Sequence, residues 1–488
     1  MIEELNTIEL NDHKKDPDIL ISKCIDEIGW GQYQKSVFLL CGLGLACDSM
    51  YMQSIGVIQL QVQKEFMLTN TTSSLLVTFM LLGMMLGAAF WGIFSDIVGR
   101  RIPFTAALLI CAFFTSFSSL APNYYTLSIA IRNIFALTLV IMGFGIGGNM
   151  PIDMFLNATP KSEQSLVTNM FAFWPLGQVV TSALAWIIIP VPELSCLSSL
   201  KCSMSLNLGW RLFQASLASL TFLFLIARVC CFTLYESPKF LVSRKKYQEA
   251  ADILINLAKM NGKQINVDAY SLKLDTKLSD SKTQSALSIT KELFAPEIRL
   301  KFLLFWSIFS TTAIGNFMFF TCLPKFISIN NGADELTLNE TYKNYFIVSI
   351  FSVLGSVAGV YASGSFLGKK HLMAISAFGV ASALFLFTIL KTSTGQLIAT
   401  CIAGALQNCM FGVLHSYTPE FFPNHVRSTA VGVFVALGRF AGCFAPLITG
   451  YLLDYNVNSP VYVSSMFFLA AGICMLSLPL DTRGKEPQ

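Results

Sequence analysis

The chain has 488 residues, of which 54% are hydrophobic and only 13% charged, and its mean hydropathy is +0.60. Soluble domains carry about 25% charged residues, and a soluble core has no room for this much apolar surface, so the composition excludes a water-soluble globular protein and points to a bilayer crossed many times. The net charge of +4 is modest and argues against a nucleic-acid partner.

Residues 1–35 are polar and of mixed charge at the start, without the apolar core of a signal peptide, and read as a cytosolic N-terminal tail. A membrane helix needs about 20 apolar residues. Six candidates follow at roughly 36–60, 74–94, 102–120, 124–150, 167–189 and 211–233, and they define an N-terminal six-helix bundle over 36–233. The long polar stretch 234–300 reads as a cytosolic linker. Six more candidates lie at roughly 302–323, 344–364, 371–390, 396–416, 428–450 and 460–480. They define a C-terminal bundle over 301–480, with a cytosolic tail at 481–488. The predicted fold class is an all-α membrane protein with twelve transmembrane helices in two six-helix bundles.

Basic residues set the orientation, because cytosolic loops collect Lys and Arg. Lys14, Lys15, Arg100, Arg101, Arg244, Lys245, Lys246, Lys369, Lys370 and Arg427 fall on the side that the two tails share; Lys64, Lys201, Arg211, Lys325, Lys343 and Lys391 fall on the other. Both termini are therefore expected in the cytosol. The plasma membrane and an internal membrane both fit this pattern.

Most of the thirteen cysteines sit in apolar runs and read as small buried hydrophobes. Cys196 and Cys202 differ: they flank LSSLK in a polar loop, where a local disulfide is possible if the loop is lumenal. No Cys/His cluster has metal spacing, and no cofactor is expected. The sequons NTT at Asn70 and NET at Asn339 are candidate glycosylation sites on the outer side.

The stretch GIFSDIVGRR, Gly92–Arg101, places Asp96, Arg100 and Arg101 in a turn between two apolar runs. Such a cluster suits pairing with a neighbouring helix end; plain anchoring of a cytosolic loop is the simpler alternative. After the eighth candidate span, YASGSFLGKK puts Gly368, Lys369 and Lys370 where Gly99, Arg100 and Arg101 stand, as expected of a duplicated transporter.

Charges at membrane depth are costly and mark functional positions. Asp48, in the first span, is a candidate for a coupling proton or a cationic group, or for a structural partner of Arg132. Arg439, in the eleventh, suits an anionic solute or a structural pair. Arg132, Asp153, Gln53, Gln178, Asn316, Gln407, Asn408 and His415 complete the candidate substrate or proton path; helix-to-helix bonding competes at the neutral polar residues, a solvated or paired loop acid at Asp153, and a gate role at His415. The glycines of GFGIGG are no nucleotide loop, since no strand precedes them. No nucleophile–base pair, histidine box or phosphate loop appears, so no enzyme is expected and no catalytic residue is assigned.

Several of these stretches resemble one family. GIFSDIVGRR is similar to the signature loop of the major facilitator superfamily. YESPKFLVSRKKYQEA, Tyr235–Ala250, resembles its P-E-S-P-R-[FW]-L motif and linker helix, and YTPEFFPNHVRSTAVG, Tyr417–Gly432, its acidic–Phe-Pro–Arg loop. LPLDTRGKEP resembles a degraded P-E-T-K-G. CIDEIGWGQYQKSVFLLCGLGLACDSMYMQ and GFGIGGNMPID resemble fungal members of the synaptic-vesicle-protein-like branch, beside the sugar porters. The resemblance spans about residues 24–485. It implies two bundles rocking about a central site, with small organic solutes and protons as partners in a bilayer and a monomeric protein.

The resemblance also implies a cytosolic gate of Gly92, Asp96, Gly99, Arg100 and Arg101, with Glu236, Glu420 and Arg427 at positions that pair with such arginines. The implied function is transport of a small organic solute by alternating access, as a proton-coupled secondary transporter. A facilitative uniporter and a non-transporting membrane sensor or scaffold are the alternatives. Two departures stand out. NIFALTLVIM separates Arg132 from Gly143 where the family has only a few residues, and Asn157 replaces an acid before ATP.

Overall fold

The computed structural model describes residues 17–121, 129–148, 159, 166–196, 207–232, 234–265, 267, 296–320, 323–329, 337–363, 368–421 and 427–478. All regular structure among them is helical. Ten helices are long and apolar enough to cross a membrane, and two more apolar helices are shorter.

A short helix α1 (Pro17–Ile28) precedes α2 (Gln32–Glu65), α3 (Asn70–Val98), α4 (Arg101–Ser119) and α5 (Ile129–Gly147). The fifth candidate span is broken into α6 (Leu166–Met170) and α7 (Phe173–Ile188). Pro175 explains the break: it has no N–H to donate back, and its ring clashes with the carbonyl of Phe171 in a continuous helix. Then come α8 (Gly209–Cys231) and, in the linker, α9 (Pro238–Ser243) and α10 (Tyr247–Met260).

The second half holds α11 (Pro296–Phe319), α12 (Leu323–Ile329), α13 (Leu338–Ser363), α14 (Gly368–Ile389), α15 (Ser393–Phe421), α16 (Arg427–Tyr455) and α17 (Ser459–Leu476). The seventh candidate span was expected to run to residue 323; α11 instead stops at Phe319 and α12 starts afresh beside Pro324.

The helix α2 has 34 residues, about 50 Å at 1.5 Å per residue. A bilayer core is about 30 Å thick, so α2 overshoots it. One overhang meets the linker: Asn261 donates to Gln34 Oε1 at 2.7 Å and accepts from the Tyr33 amide at 3.3 Å. The extra residues before Gly143 are accommodated as continuous helix within α5.

Helices α2–α5, α7 and α8 pack among themselves, as do α11 and α13–α17; the two groups meet chiefly along α3–α16 and α7–α13. Small residues permit the closest approaches. At Gly83 a Cβ would overlap the Val140 carbonyl, and at Gly143 the Met80 carbonyl, so α3 and α5 touch backbone to backbone. Across the halves, a Cβ on Gly450 of α16 would meet Thr71 Cα of α3. Large apolar side chains such as Ile93, Ile187, Ile226 and Val229 are exposed on the outer faces, as lipid-facing helices require.

Candidate functional site

One end of the molecule carries Arg100, Arg101, Arg244, Lys245, Lys369 and Lys370 and is called the basic end. There α3 stops at Gly99, whose φ of +99° favours glycine. Its amide donates to the Ser95 carbonyl at 3.0 Å, and the Ser95 hydroxyl to the Gly92 carbonyl at 2.8 Å. Glu236 then caps α4: its carboxylate accepts from the Arg100 amide at 2.8 Å and the Arg101 amide at 3.3 Å. Pairing with the arginine side chains was expected. The carboxylate instead binds the two backbone amides, because the helix start offers unpaired N–H groups and a positive dipole end. A Cβ at Gly99 would lie 2.5 Å from Glu236 Oε2, so the glycine leaves room for this cap.

Asp96, Glu420 and Arg427 lie in helices, but their side chains fall outside the described residues, as does that of Arg132 in α5; Asp153 and Cys202 fall outside altogether. Cys196 is disulfide-bonded. Among the described residues no cluster of His, Cys, Asp or Glu has the arrangement of a metal site.

In the interior, Asp48 lies midway along α2 and is buried; Arg439 lies midway along α16 and keeps part of its surface accessible. The carboxylate and the guanidinium are close enough to interact electrostatically across the two halves. Three residues beyond Asp48, the Tyr51 hydroxyl donates to Thr221 Oγ1 at 2.7 Å and ties α2 to α8. His415 of α15 lies tilted against Phe171, 4.5 Å between ring centroids, from the break between α6 and α7. Its Nδ1 lies 3.0 Å from the Phe411 carbonyl. Gln407 donates to Asn316 within the second half, and Asn408 donates to the Gly404 carbonyl at 3.0 Å inside its own helix. Gln178, on α7, is half-buried.

At the opposite end a polar closure joins the halves. Lys325 of α12, 1% exposed, donates to Gln63 Oε1 of α2 at 2.7 Å. Gln63 donates to Asn70 Oδ1 at 3.0 Å, and Asn70 donates to Asp454 Oδ1 of α16 at 2.9 Å. Thr71 donates to the other oxygen of Asp454 at 2.9 Å. Nearby, Trp186 donates to Asn339 Oδ1 at 2.8 Å, Tyr342 to the Val57 carbonyl at 2.9 Å, and Tyr345 bonds Gln53. Both sequon asparagines thus serve as bridging partners between the halves.

A second network at that end stays within the first half. Glu65, fully buried, takes Arg211 bidentately at 2.7 and 2.9 Å and also accepts from Asn207 at 2.9 Å and Trp210 at 2.8 Å. Arg211 further donates to the Ala121 carbonyl at 2.9 Å. The sequence reading placed Arg211 and Lys325 among the loop charges; the structure buries both. A hydropathy scan has no signal for this, since each residue sits at the edge of an apolar run.

The family model for the Major Facilitator Superfamily matches residues 39–446 and 332–488. The chain belongs to the major facilitator superfamily. It is 32% identical over 488 residues to MFS siderochrome iron transporter 1 of Ceriporiopsis subvermispora, covering 96% of this chain and 91% of that one. With the synaptic vesicle 2-related protein of Xenopus laevis it shares 25% identity over 513 residues, 99% of this chain and 87% of that one. Its fold matches the xylose transporter XylE from E. coli in a partially occluded inward-open conformation, with a TM-score of 0.72, 19% identity, and coverage of 93% and 99%. This member of the superfamily is accordingly an integral membrane protein and a transporter of small solutes.

Proposed function

We propose that the protein moves a small organic solute across the membrane by alternating access, driven by a proton gradient. On this reading the ten long and two short apolar helices make twelve spans in two bundles, 36–233 and 301–480. The basic end, both tails and the linker 234–300 face the cytosol, and the protein works as a monomer. One observation carries the reading: the closure Lys325–Gln63–Asn70–Asp454 is built from side chains of both halves, at the end away from the basic residues, with Asp48 and Arg439 beyond it in the interior. Side-chain hydrogen bonds of this kind can break and re-form as the halves rock, whereas fused backbone packing cannot.

Asp48 is the proposed proton carrier, the Gly92–Arg101 turn with Glu236, Glu420 and Arg427 the cytosolic gate, and Arg132, Asp153, Gln178, Asn316, Gln407, Asn408 and His415 the lining of the path. The relatives' printed names do not choose a solute: one refers to siderochrome iron, and the solved neighbour to xylose.

The test is uptake of labelled solutes into vesicles carrying the protein, with and without an inward proton gradient, for the native chain and Asp48→Asn. Gradient-driven accumulation that the substitution abolishes is expected. Uptake indifferent to both gradient and substitution makes the protein a facilitator and returns Asp48 to a structural role. No uptake of any solute removes the transport reading.

A further inference from the structure

Arg439 is a fixed cation at the middle of a membrane helix. Among the described residues its guanidinium has no hydrogen-bond acceptor and no carboxylate within ion-pair distance. Of the two arginines buried on α8, Arg211 is saturated by Glu65, Ala121 and Asn207, and Arg228 lies over the Phe104 ring. A guanidinium at membrane depth with its donors unused carries a desolvation cost that an anionic ligand recovers. Part of its surface is accessible, so a ligand can reach it.

Its surroundings narrow the chemistry. Asp48 faces it electrostatically from the other half, so while that carboxylate is ionised the two charges offset each other. A single negative charge brought to the guanidinium is attracted; a second would be repelled by Asp48. His415 stands beside it, and its Nδ1 is committed to the Phe411 carbonyl. A carbonyl only accepts, so Nδ1 carries the hydrogen and is spent inside α15, which leaves the ring face as a contact surface. Phe171 and Phe309, with ring centroids 4.5 and 5.6 Å from His415, supply an apolar wall from both halves.

We propose that Arg439 anchors the transported solute and that this solute is a small organic monocarboxylate, gripped by the guanidinium fork, with its apolar body against the His415–Phe171–Phe309 wall. The inference rests on the transporter reading above and adds the substrate class and its anchor. The planar fork matches a carboxylate through two parallel N–H···O bonds, which neutral sugars and cations cannot use.

The test reads the site directly and transport separately. Purified full-length protein is treated with phenylglyoxal, and labelling of Arg439 is followed by peptide mass mapping in the presence of benzoate, hexanoate, succinate, xylose or tetraethylammonium. Benzoate or hexanoate is expected to protect Arg439, with succinate, xylose and tetraethylammonium ineffective. Arg439→Gln is expected to weaken binding of the protecting carboxylate by about 10- to 100-fold, the loss of a charge-assisted bond, and Arg439→Lys by less. Because Arg439 holds no other side chain in place among the described residues, both variants should fold; an unchanged thermal melt checks this. Absence of protection by either monocarboxylate, or equal protection by xylose or tetraethylammonium, overturns the proposal.

Vesicle uptake separates the two readings. A monocarboxylate that protects Arg439 but is never accumulated leaves the site and removes transport. Accumulation of xylose or tetraethylammonium that survives Arg439→Gln leaves transport and removes the anion site.

Discussion

Two buried arginines on α8 should respond in different ways to removal, and the first can be worked through from its contacts. Arg211 is bound to Glu65 by two short bonds, stacks on the Trp210 ring at 4.3 Å, and closes on the Ala121 carbonyl. The pair joins the end of α2, the start of α8 and the turn after α4. Glu65→Gln removes the charge but keeps an acceptor oxygen for Trp210 and Asn207, and so isolates the cost of leaving the guanidinium unpaired. Breaking a buried pair by one partner costs about 3–5 kcal/mol. At about 2–4 °C per kcal/mol for a unit of 150–250 residues, the melt of the purified protein should fall by about 6–20 °C. Arg211→Met, which strands the carboxylate instead, should do the same. Combining the two substitutions removes both charges, and the melt should recover most of the loss. Single shifts below about 2 °C, or a double variant no better than the worse single one, would refute the claim that the pair's charges are mutually compensating.

Arg228, 3% exposed, lies over the Phe104 ring at 3.9 Å with Nη1 and Nη2 unpartnered among the described residues, so Arg228→Met is expected to leave the melt unchanged or raise it. A fall as large as that of Arg211→Met would contradict this. Cysteines at Asn70 and Asp454 should crosslink under oxidation and stop uptake until reductant is added, since their native side chains bond at 2.9 Å across the halves. Gly99→Ala puts a side chain at φ +99° against Glu236, a strain of about 1–2 kcal/mol, and should lower both the melt and the uptake rate, while Gly262→Ala, at φ +72° with open space around it, should lower neither rate nor expression as much. Asn70 and Asn339 are engaged with Asp454 and Trp186, so both sequons are expected to stay unmodified, and treatment with an amide-cleaving glycosidase should leave the protein's gel mobility unchanged.

Apolar runs and turn motifs made the membrane class and the superfamily legible, because both are local properties of sequence. The two broken spans were also written in the chain, at Pro175 and Pro324, yet window hydropathy smooths over a single proline. What the sequence hid is pairing at a distance. Glu65 and Arg211 stand 146 positions apart, and each taken alone looks like an ordinary charge at a helix end. Lys325 was equally plausible as a loop cation; only the approach of α12 to α2 turns it into a bridge. Glu236 was placed at the right turn but with the wrong partner, since motif spacing identifies a carboxylate near two arginines without saying whether it meets their side chains or their amides. Asn70 and Asn339 matched a modification pattern that carries no information about what the side chain already holds.

The distribution of bond strengths fits a rocking machine. Inside the first half the ties are of the costly kind: a fully buried ion pair, and glycine-mediated backbone contact between α3 and α5 that tolerates no added atom. Between the halves, at the closure, Gly450 lets α16 approach α3 at Thr71, but the polar ties are neutral or singly charged side-chain hydrogen bonds, each worth about 0.5–1.5 kcal/mol net because water replaces the lost partner. Moving a two-state equilibrium from 1:99 to 99:1 takes about 5.5 kcal/mol of differential binding. A closure of a few such bonds lies within reach of that figure, so a solute that binds one arrangement better than the other is able to tip it. Replacing Gln63 by Glu would turn its 2.7 Å bond with the buried Lys325 into an ion pair and move the closure from the second class to the first. The expected consequence is a protein that melts higher and transports more slowly, and a variant that gained stability with no loss of rate would show that the closure does not open during turnover.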